Sequence, residues 1–214
     1  MKFPDYRCER KCLERGYTFV IGCDEAGRGP LAGPVVAAAC VLDPKTIGKR
    51  RSKNKWYARV RDSKTIPELE REILCAKILE NTLAHGIGVV SEREIDKLNI
   101  HNASLLAMQR AVTELVKRLN LKSKKLFLFL DGRFEIPEVK LEQRAIIGGD
   151  AKVLSISAAS ILAKVHRDNM MRELDGRFPG YGFARHKGYG TREHQNALKK
   201  LGISLVHRRS FVKI

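Results

Sequence analysis

The chain has 214 residues, 43% apolar and 30% charged, enough to bury a substantial core in one globular unit. No apolar run approaches the roughly 18 residues of a membrane span, and residues 1–7 lack the hydrophobic core of a signal peptide. Lys and Arg number 41 against 24 Asp and Glu, a net charge of +17, which points to a polyanionic partner, nucleic acid before an acidic lipid surface.

Residues 1–17 are polar and read as a short, irregular N-terminal arm. Thr18–Cys23 reads as a buried strand and Val35–Leu42 as a second, and the bend between them, punctuated by glycine and proline, makes the two an antiparallel pair. Residues 43–61 form a strongly basic loop around Trp56, either solvated or in contact with nucleic acid. Glu68–Leu83 has helical spacing, with Leu69, Ile73, Ala76, Ile78 and Leu83 as its apolar stripe. Gly86–Val90 is a short strand, after which Ser91 and Glu94 give the capping-box pattern that opens a helix.

Asn102–Leu119 is a longer amphipathic helix with Leu105, Met108, Val112, Leu115, Val116 and Leu119 as its apolar stripe. Leu126–Leu130 is a continuous apolar run of the kind found at the centre of a sheet, and Lys140–Ile147 is a further strand. Ala151–Arg172 is helical, with Leu154, Ala158, Ile161, Leu162 and Val165 facing inward. Gly176–Gly190 is loop, and Thr191–Leu201 is a last capped helix. The pattern is that of a mixed α/β layer protein. Five cysteines, an odd number without a framework, suit a reducing cytoplasm, and Cys8 and Cys12 lack the second pair that a zinc site needs.

Chemistry concentrates where strands end. Asp24 and Glu25 follow the first strand, Asp131 follows the central apolar run, and Asp150 follows Gly148-Gly149 after a third strand. Gathered on one sheet edge, these acids repel one another unless a cation lies between them, and hard oxygen ligands favour Mg²⁺ or Mn²⁺. Two such ions suit in-line displacement at phosphorus. Each acid also has a plainer reading: Glu25 as a surface charge, Asp131 as a turn residue, Asp150 as a helix cap and Asp168 as a salt-bridge partner. Gly27, Gly29 and Ala32 satisfy a dinucleotide fingerprint, but Pro34 falls where its helix must begin, which excludes it. His166, His186 and His194 form no zinc-protease pattern and read as structural or phosphate-contacting residues.

The run Asp24-Glu25-Ala26-Gly27-Arg28-Gly29-Pro30, continued by Leu31-Ala32-Gly33-Pro34-Val35, resembles the signature of the ribonuclease HII family. Asp62-Ser63-Lys64, Leu130-Asp131-Gly132, the block Ser157–Asp168 and the block His186–Thr191 resemble its remaining motifs, in order, over about Thr18 to Phe211. The resemblance implies a single ribonuclease H-like catalytic domain across residues 1–214, with a mixed five-stranded sheet flanked by helices. It implies a metal-dependent endonuclease that hydrolyses the RNA strand of RNA–DNA hybrids. Such an enzyme nicks on the 5′ side of single ribonucleotides in duplex DNA, in ribonucleotide excision repair and RNA primer removal.

In that family's terms Asp24, Glu25, Asp131 and Asp150 are the catalytic acids and hold two divalent ions, Mn²⁺ or Mg²⁺. Gly27, Arg28 and Gly29 sense the 2′-hydroxyl and the junction phosphate, Lys64 lies near the scissile phosphate, and Tyr189 packs on the adjoining deoxyribose. Arg28 stands where the sister type, ribonuclease HIII, resembles Gly-Thr-Gly. The expected setting is a cytoplasmic monomer with no motif for a sliding clamp. Two departures stand out: the 43–61 loop is longer than the family's connection, and Cys23 replaces an aliphatic residue as a buried thiol without chemistry.

Overall fold

A computed structural model describes residues 3–48, 55–119 and 124–212. Its centre is a sheet of five strands: β1 (Phe19–Ala26), β2 (Val35–Leu42), β3 (Thr82–Val90), β4 (Leu126–Asp131) and β5 (Glu142–Ile146), in the order β3-β2-β1-β4-β5. β1–β2 and β2–β3 are antiparallel, whereas β1–β4 and β4–β5 are parallel. This is the expected mixed sheet of the ribonuclease H-like fold, with β2 spanning Val35–Leu42 as read from the sequence.

All eight residues of β2 are buried because both faces of the sheet are covered. Val35, Ala37, Ala39 and Val41 meet α3 (Glu92–Arg118) through Ala103, Ala107 and Ala111. Ala38, Cys40 and Leu42 meet α4 (Leu154–Arg177) through Ala158, Ile161 and Leu162. Small residues let both helices lie close to the sheet. At Gly22 in β1 the approach is so tight that a Cβ would run into the Ser155 backbone of α4. Ser91 caps α3 with the expected capping box, its Oγ accepting from Glu94 N–H. Asn99 interrupts that helix with φ 66°, a value Asn tolerates better than most, and its Oδ1 accepts from Asn102 N–H at 3.1 Å. The amphipathic segment read from Asn102 is therefore the second half of α3.

Three expectations need correction. The segment 1–17 holds a helix, α1 (Arg7–Glu14), docked on α4: the buried Glu9 carboxylate accepts from Ser155 N–H at 2.8 Å. Most of the stripe read on α2 (Glu68–Glu80) is turned outward, with Leu69 72% and Ile73 52% exposed and Leu83 already in β3; of its members Ile78 faces in as read, alongside Arg71 and Leu74. Gly176–Gly190 is only partly loop, since α4 runs to Arg177 and Phe183–His186 forms a short helix, α5. The final helix, α6 (Arg192–Leu201), is capped by Thr191 as expected.

Within the basic loop, Tyr57 and Val60 are buried and the Tyr57 hydroxyl accepts from Gly48 N–H, so its described ends are anchored in the core. Arg50, Arg51 and Lys53 lie outside the described residues. No described helix is long and apolar enough to cross a membrane.

Burial raises Glu9 from 4.5 to about 7. The native state therefore keeps a proton that the unfolded chain has lost, so this group favours folding most below about 4.5 and progressively less as pH rises to about 7. Glu9→Gln keeps an acceptor for Ser155 N–H and removes the charge. Denaturant unfolding is expected to find it more stable than the parent by about 2–3 kcal/mol at pH 8, with the difference gone near pH 4.

Candidate active site

The parallel register sets Cys23 beside Leu130, so the next residues, Asp24 and Asp131, come together at the same end of the sheet. β1 runs on to Ala26, so Asp24 and Glu25 lie within it near its end, paired with Ala38 and Ala37, and do not follow it as the sequence suggested. Asp131 in turn pairs with Ile146, and a left-handed Gly148 with φ 61° then turns the chain into a short 3₁₀ segment holding Asp150. Asp24, Glu25, Asp131 and Asp150 line one pocket of about 370 Å³ together with Gly27–Gly29, Lys64 and Tyr189. Every site residue singled out in the sequence thus lies on that pocket. Two further grooves, of about 490 and 580 Å³, each contain a single carboxylate, and that one is paired with arginine.

One oxygen each of Asp24, Glu25 and Asp131 is turned to an internal donor. Asp24 accepts from Glu25 N–H at 2.7 Å, Glu25 from Arg28 at 3.1 Å and Asp131 from Gly149 N–H at 2.6 Å. Burial first, and then Glu25 and Asp131, push the Asp24 carboxyl well above its ordinary range. Glu25 is raised by burial against the pull of Arg28, and Asp150 by burial, Asp131 and Asp62. Among the described residues no group of three or more His, Cys, Asp or Glu side chains is arranged to hold a metal ion as it stands. The donor set nevertheless fits hard divalent cations: it is all carboxylate, and its mutual repulsion is what such an ion removes.

Two lysines share this pocket. Burial lowers the Lys64 ammonium, but Asp62, Asp24 and Asp150 outweigh it and raise the group overall. Asp62 shapes its turn by accepting from Lys64 N–H at 2.9 Å. Ser63 Oγ meets Ser160 Oγ at 2.9 Å, and the Ser160 hydroxyl works against burial by pulling the Asp24 carboxyl down. Beneath them the buried Arg71 donates to Ser63 O and to Asp168 at 2.9 Å, and Asp168 also accepts from Lys164 at 2.5 Å. Asp168 is therefore a salt-bridge partner, and reaching it is why α2 buries Arg71 in place of Leu69. Lys164 lines the pocket too, a site residue the sequence reading missed. Its signal was present: a lysine directly after the run of small and apolar residues Leu154–Ala163, all of them buried.

The Gly27–Pro34 turn is built on two buried arginines that also escaped the sequence reading. Arg167 donates to Pro34 O, Lys187 O and Ala32 O, and Arg208 donates to Gly27 O, Arg28 O, Gly33 O and Pro34 O. Gly27 takes φ 97°, and a Cβ there would strike the Arg167 side chain, so glycine is required twice over. The turn thereby presents Arg28 beside Glu25 and sets Gly29 next to the Tyr189 ring, which is 41% exposed. Arg208 sits in a run of tail residues, His207-Arg208-Arg209, that looks like exposed charge, so nothing local marks it. Cys23 is fully buried and its thiol pushed up by burial, as expected.

The family model described as Ribonuclease HII matches residues 21–214. A ribonuclease HII of Caldanaerobacter subterraneus is 47% identical over 205 residues, covering 96% of this chain and 78% of the relative. Among solved structures, the RNase HII of a PCNA:RNase HII complex from Archaeoglobus fulgidus superposes with a TM-score of 0.69, at 23% identity, over 92% of this chain and 96% of that one. Bst-RNase HIII in complex with Mn²⁺ gives 0.62 at 19% identity, over 86% and 70%; both structures bear on the fold alone. With a family match over nearly all of its length and a relative this similar, the chain belongs to the ribonuclease HII family and is a ribonuclease H, a hydrolase of phosphodiester bonds.

Proposed function

We propose that this ribonuclease H cuts on the 5′ side of a ribonucleotide, both in RNA–DNA hybrids and where a single ribonucleotide is embedded in duplex DNA. The observation that carries this is one pocket joining four acids to the side-chain-free Gly27 and Gly29 and to the Tyr189 ring beside them. In this reading Asp24, Glu25, Asp131 and Asp150 hold Mg²⁺ or Mn²⁺, which activates water and stabilises charge on the phosphate oxygens. Mn²⁺ is the ion of the Bst-RNase HIII complex.

The remaining roles belong to the chain itself. Backbone groups of Gly27 and Gly29, free of side chains, approach the 2′-hydroxyl, the only group that distinguishes a ribonucleotide sugar from its deoxy neighbour. Arg28 exchanges Glu25 for the junction phosphate, an exchange its half-exposed guanidinium permits. Lys64 and Lys164 bring ammonium groups to the scissile phosphate. Tyr189 packs on the adjoining deoxyribose. Water adds to phosphorus as the bond to the upstream 3′-oxygen breaks, leaving a 3′-hydroxyl and a 5′-phosphate on the ribonucleotide. Such products suit ribonucleotide excision repair and removal of RNA primers, and the net charge of +17 suits the substrate's backbone.

Ion binding at these acids competes with protons, because Asp24, Glu25 and Asp150 are all raised by burial and by one another or their acidic neighbours. Millimolar Mg²⁺ or Mn²⁺ is expected to raise the melting temperature, more at pH 8 than at pH 5.5. A shift independent of pH, or one retained in the double variant Asp24→Asn/Asp131→Asn, places the ion elsewhere.

A further inference from the structure

The turn that carries Tyr189 is backed by three buried histidines: His186, His194 and His207. Their hydrogen bonds leave one consistent proton arrangement. A carbonyl only accepts, so at the 3.0 Å contact with Tyr189 O it is His194 Nδ1 that carries the hydrogen. In neutral His194 the other nitrogen, Nε2, must then accept. Its partner at 3.0 Å is His207 Nε2, which therefore donates. That leaves His207 Nδ1 as an acceptor, and it faces Ser204 N–H at 3.0 Å and the Ser204 hydroxyl at 2.7 Å. The chain closes without conflict: Ser204 to His207 to His194 to the Tyr189 carbonyl.

His186 follows the same rule from the other side. Its Nε2 donates to Tyr181 O at 2.7 Å, and its Nδ1 accepts from Gly188 N–H at 3.2 Å, one residue before Tyr189. Its ring stacks on His194 at 4.5 Å. We propose that His194 and His207 form a hydrogen-bonded relay, locked in these tautomers, that positions Tyr189 as the platform for the deoxyribose at the junction. The proposal rests on the substrate reading given above.

A purely space-filling role does not require the two imidazoles to have opposite tautomers, whereas a relay does. Protonating either ring would set two N–H groups against each other or against Ser204. The groups facing His194 are His186, Glu193, His207 and the Tyr189 backbone; those facing His207 are His194, His186, Tyr181 and Ser204. Burial first, and then the neighbouring imidazoles, hold both rings below their ordinary value, His207 at about 4. Burial thus favours the neutral form of both rings, the form that the hydrogen bonds require.

The test has two arms. Imidazole nitrogen NMR on the native protein near neutral pH is expected to find hydrogen on Nδ1 of His194 and on Nε2 of His207; the opposite tautomers overturn the relay. In the second arm, steady-state cleavage of a duplex with one ribonucleotide compares the parent with Tyr189→Ala, His194→Leu and His194→Asn. His194→Leu is expected to raise KM about tenfold with kcat within about twofold, as Tyr189→Ala does, reflecting the loss of one positioned contact. The Asn amide can still donate to Tyr189 O, so His194→Asn recovers most of that loss. Equal KM for the Leu and Asn variants reduces the histidines to packing and overturns the proposal. If the parent fails to cut this duplex, the substrate reading falls, while the tautomers still decide the relay. They also decide it if His194→Leu does not fold.

Discussion

Asp24→Asn is expected to lower cleavage about a thousandfold or more, a loss of about 4 kcal/mol of charge stabilisation at the phosphate, while substrate binding stays close to the parent's. Two features of the site set these opposite outcomes. The Asn side-chain oxygen can still accept from Glu25 N–H, so the strand end keeps its shape. Charge on the DNA-facing surface, which dominates affinity through phosphate contacts, is untouched. The same substitution has a second signature. Asp24 is buried among acids that raise its carboxyl, so replacing it removes repulsion that the metal-free fold tolerates at a cost. The variant is expected to melt higher than the parent in EDTA and to lose the divalent-ion shift. Lost cleavage together with lower stability in EDTA contradicts this reading, because it makes Asp24 a structural residue.

Arg208→Met is expected to destabilise the protein by about 3–5 kcal/mol, one of the largest single-residue effects in this chain. Two effects oppose each other here. Burial and the nearby Arg167 pull the Arg208 guanidinium down to about 9, so keeping it charged inside is costly, and methionine relieves that cost. Against this, four carbonyls, of Gly27, Arg28, Gly33 and Pro34, lose a charged donor at once. At about 1.5–3 kcal/mol for each bond to a charged group, the four bonds outweigh the relief. Thermal unfolding should show a fall of about 10 °C. An unchanged melting temperature would mean that the Gly27–Pro34 turn holds its form without the guanidinium.

How much of this the sequence disclosed depends on whether the information was local. β2 was legible because an apolar run of eight residues between punctuated bends has no competing reading. The cap at Ser91 was legible because a capping box is a contract among residues three apart. The acids were legible because they stand near the ends of apolar runs, although β1 continues through Asp24 and Glu25, and the recurring motifs joined them into one site. The inward face of α2 was legible only at Ile78, because spacing alone also favours Leu69 and Ile73. What turns the helix is a partner 97 residues away, Asp168, which draws Arg71 inward. The helix at Arg7–Glu14 was missed for the same reason, since Glu9 looks like surface charge until Ser155 meets it. Arg167 and Arg208 were invisible in kind: their partners are backbone carbonyls, which no side-chain pattern announces. The residues proposed to meet substrate were thus written in short motifs, and those that hold the motifs in place were written in long-range contacts.

The most direct measurement takes a duplex DNA carrying one ribonucleotide and reads the position of the cut with Mg²⁺, with Mn²⁺ and with EDTA. The account predicts a single nick on the 5′ side of the ribonucleotide, leaving a 3′-hydroxyl and a 5′-phosphate, with either metal and none in EDTA. Efficient cutting in EDTA contradicts the role given to Asp24, Glu25, Asp131 and Asp150. Cutting confined to long RNA tracts, with the single ribonucleotide left intact, contradicts the role given to Gly27–Gly29 and Tyr189.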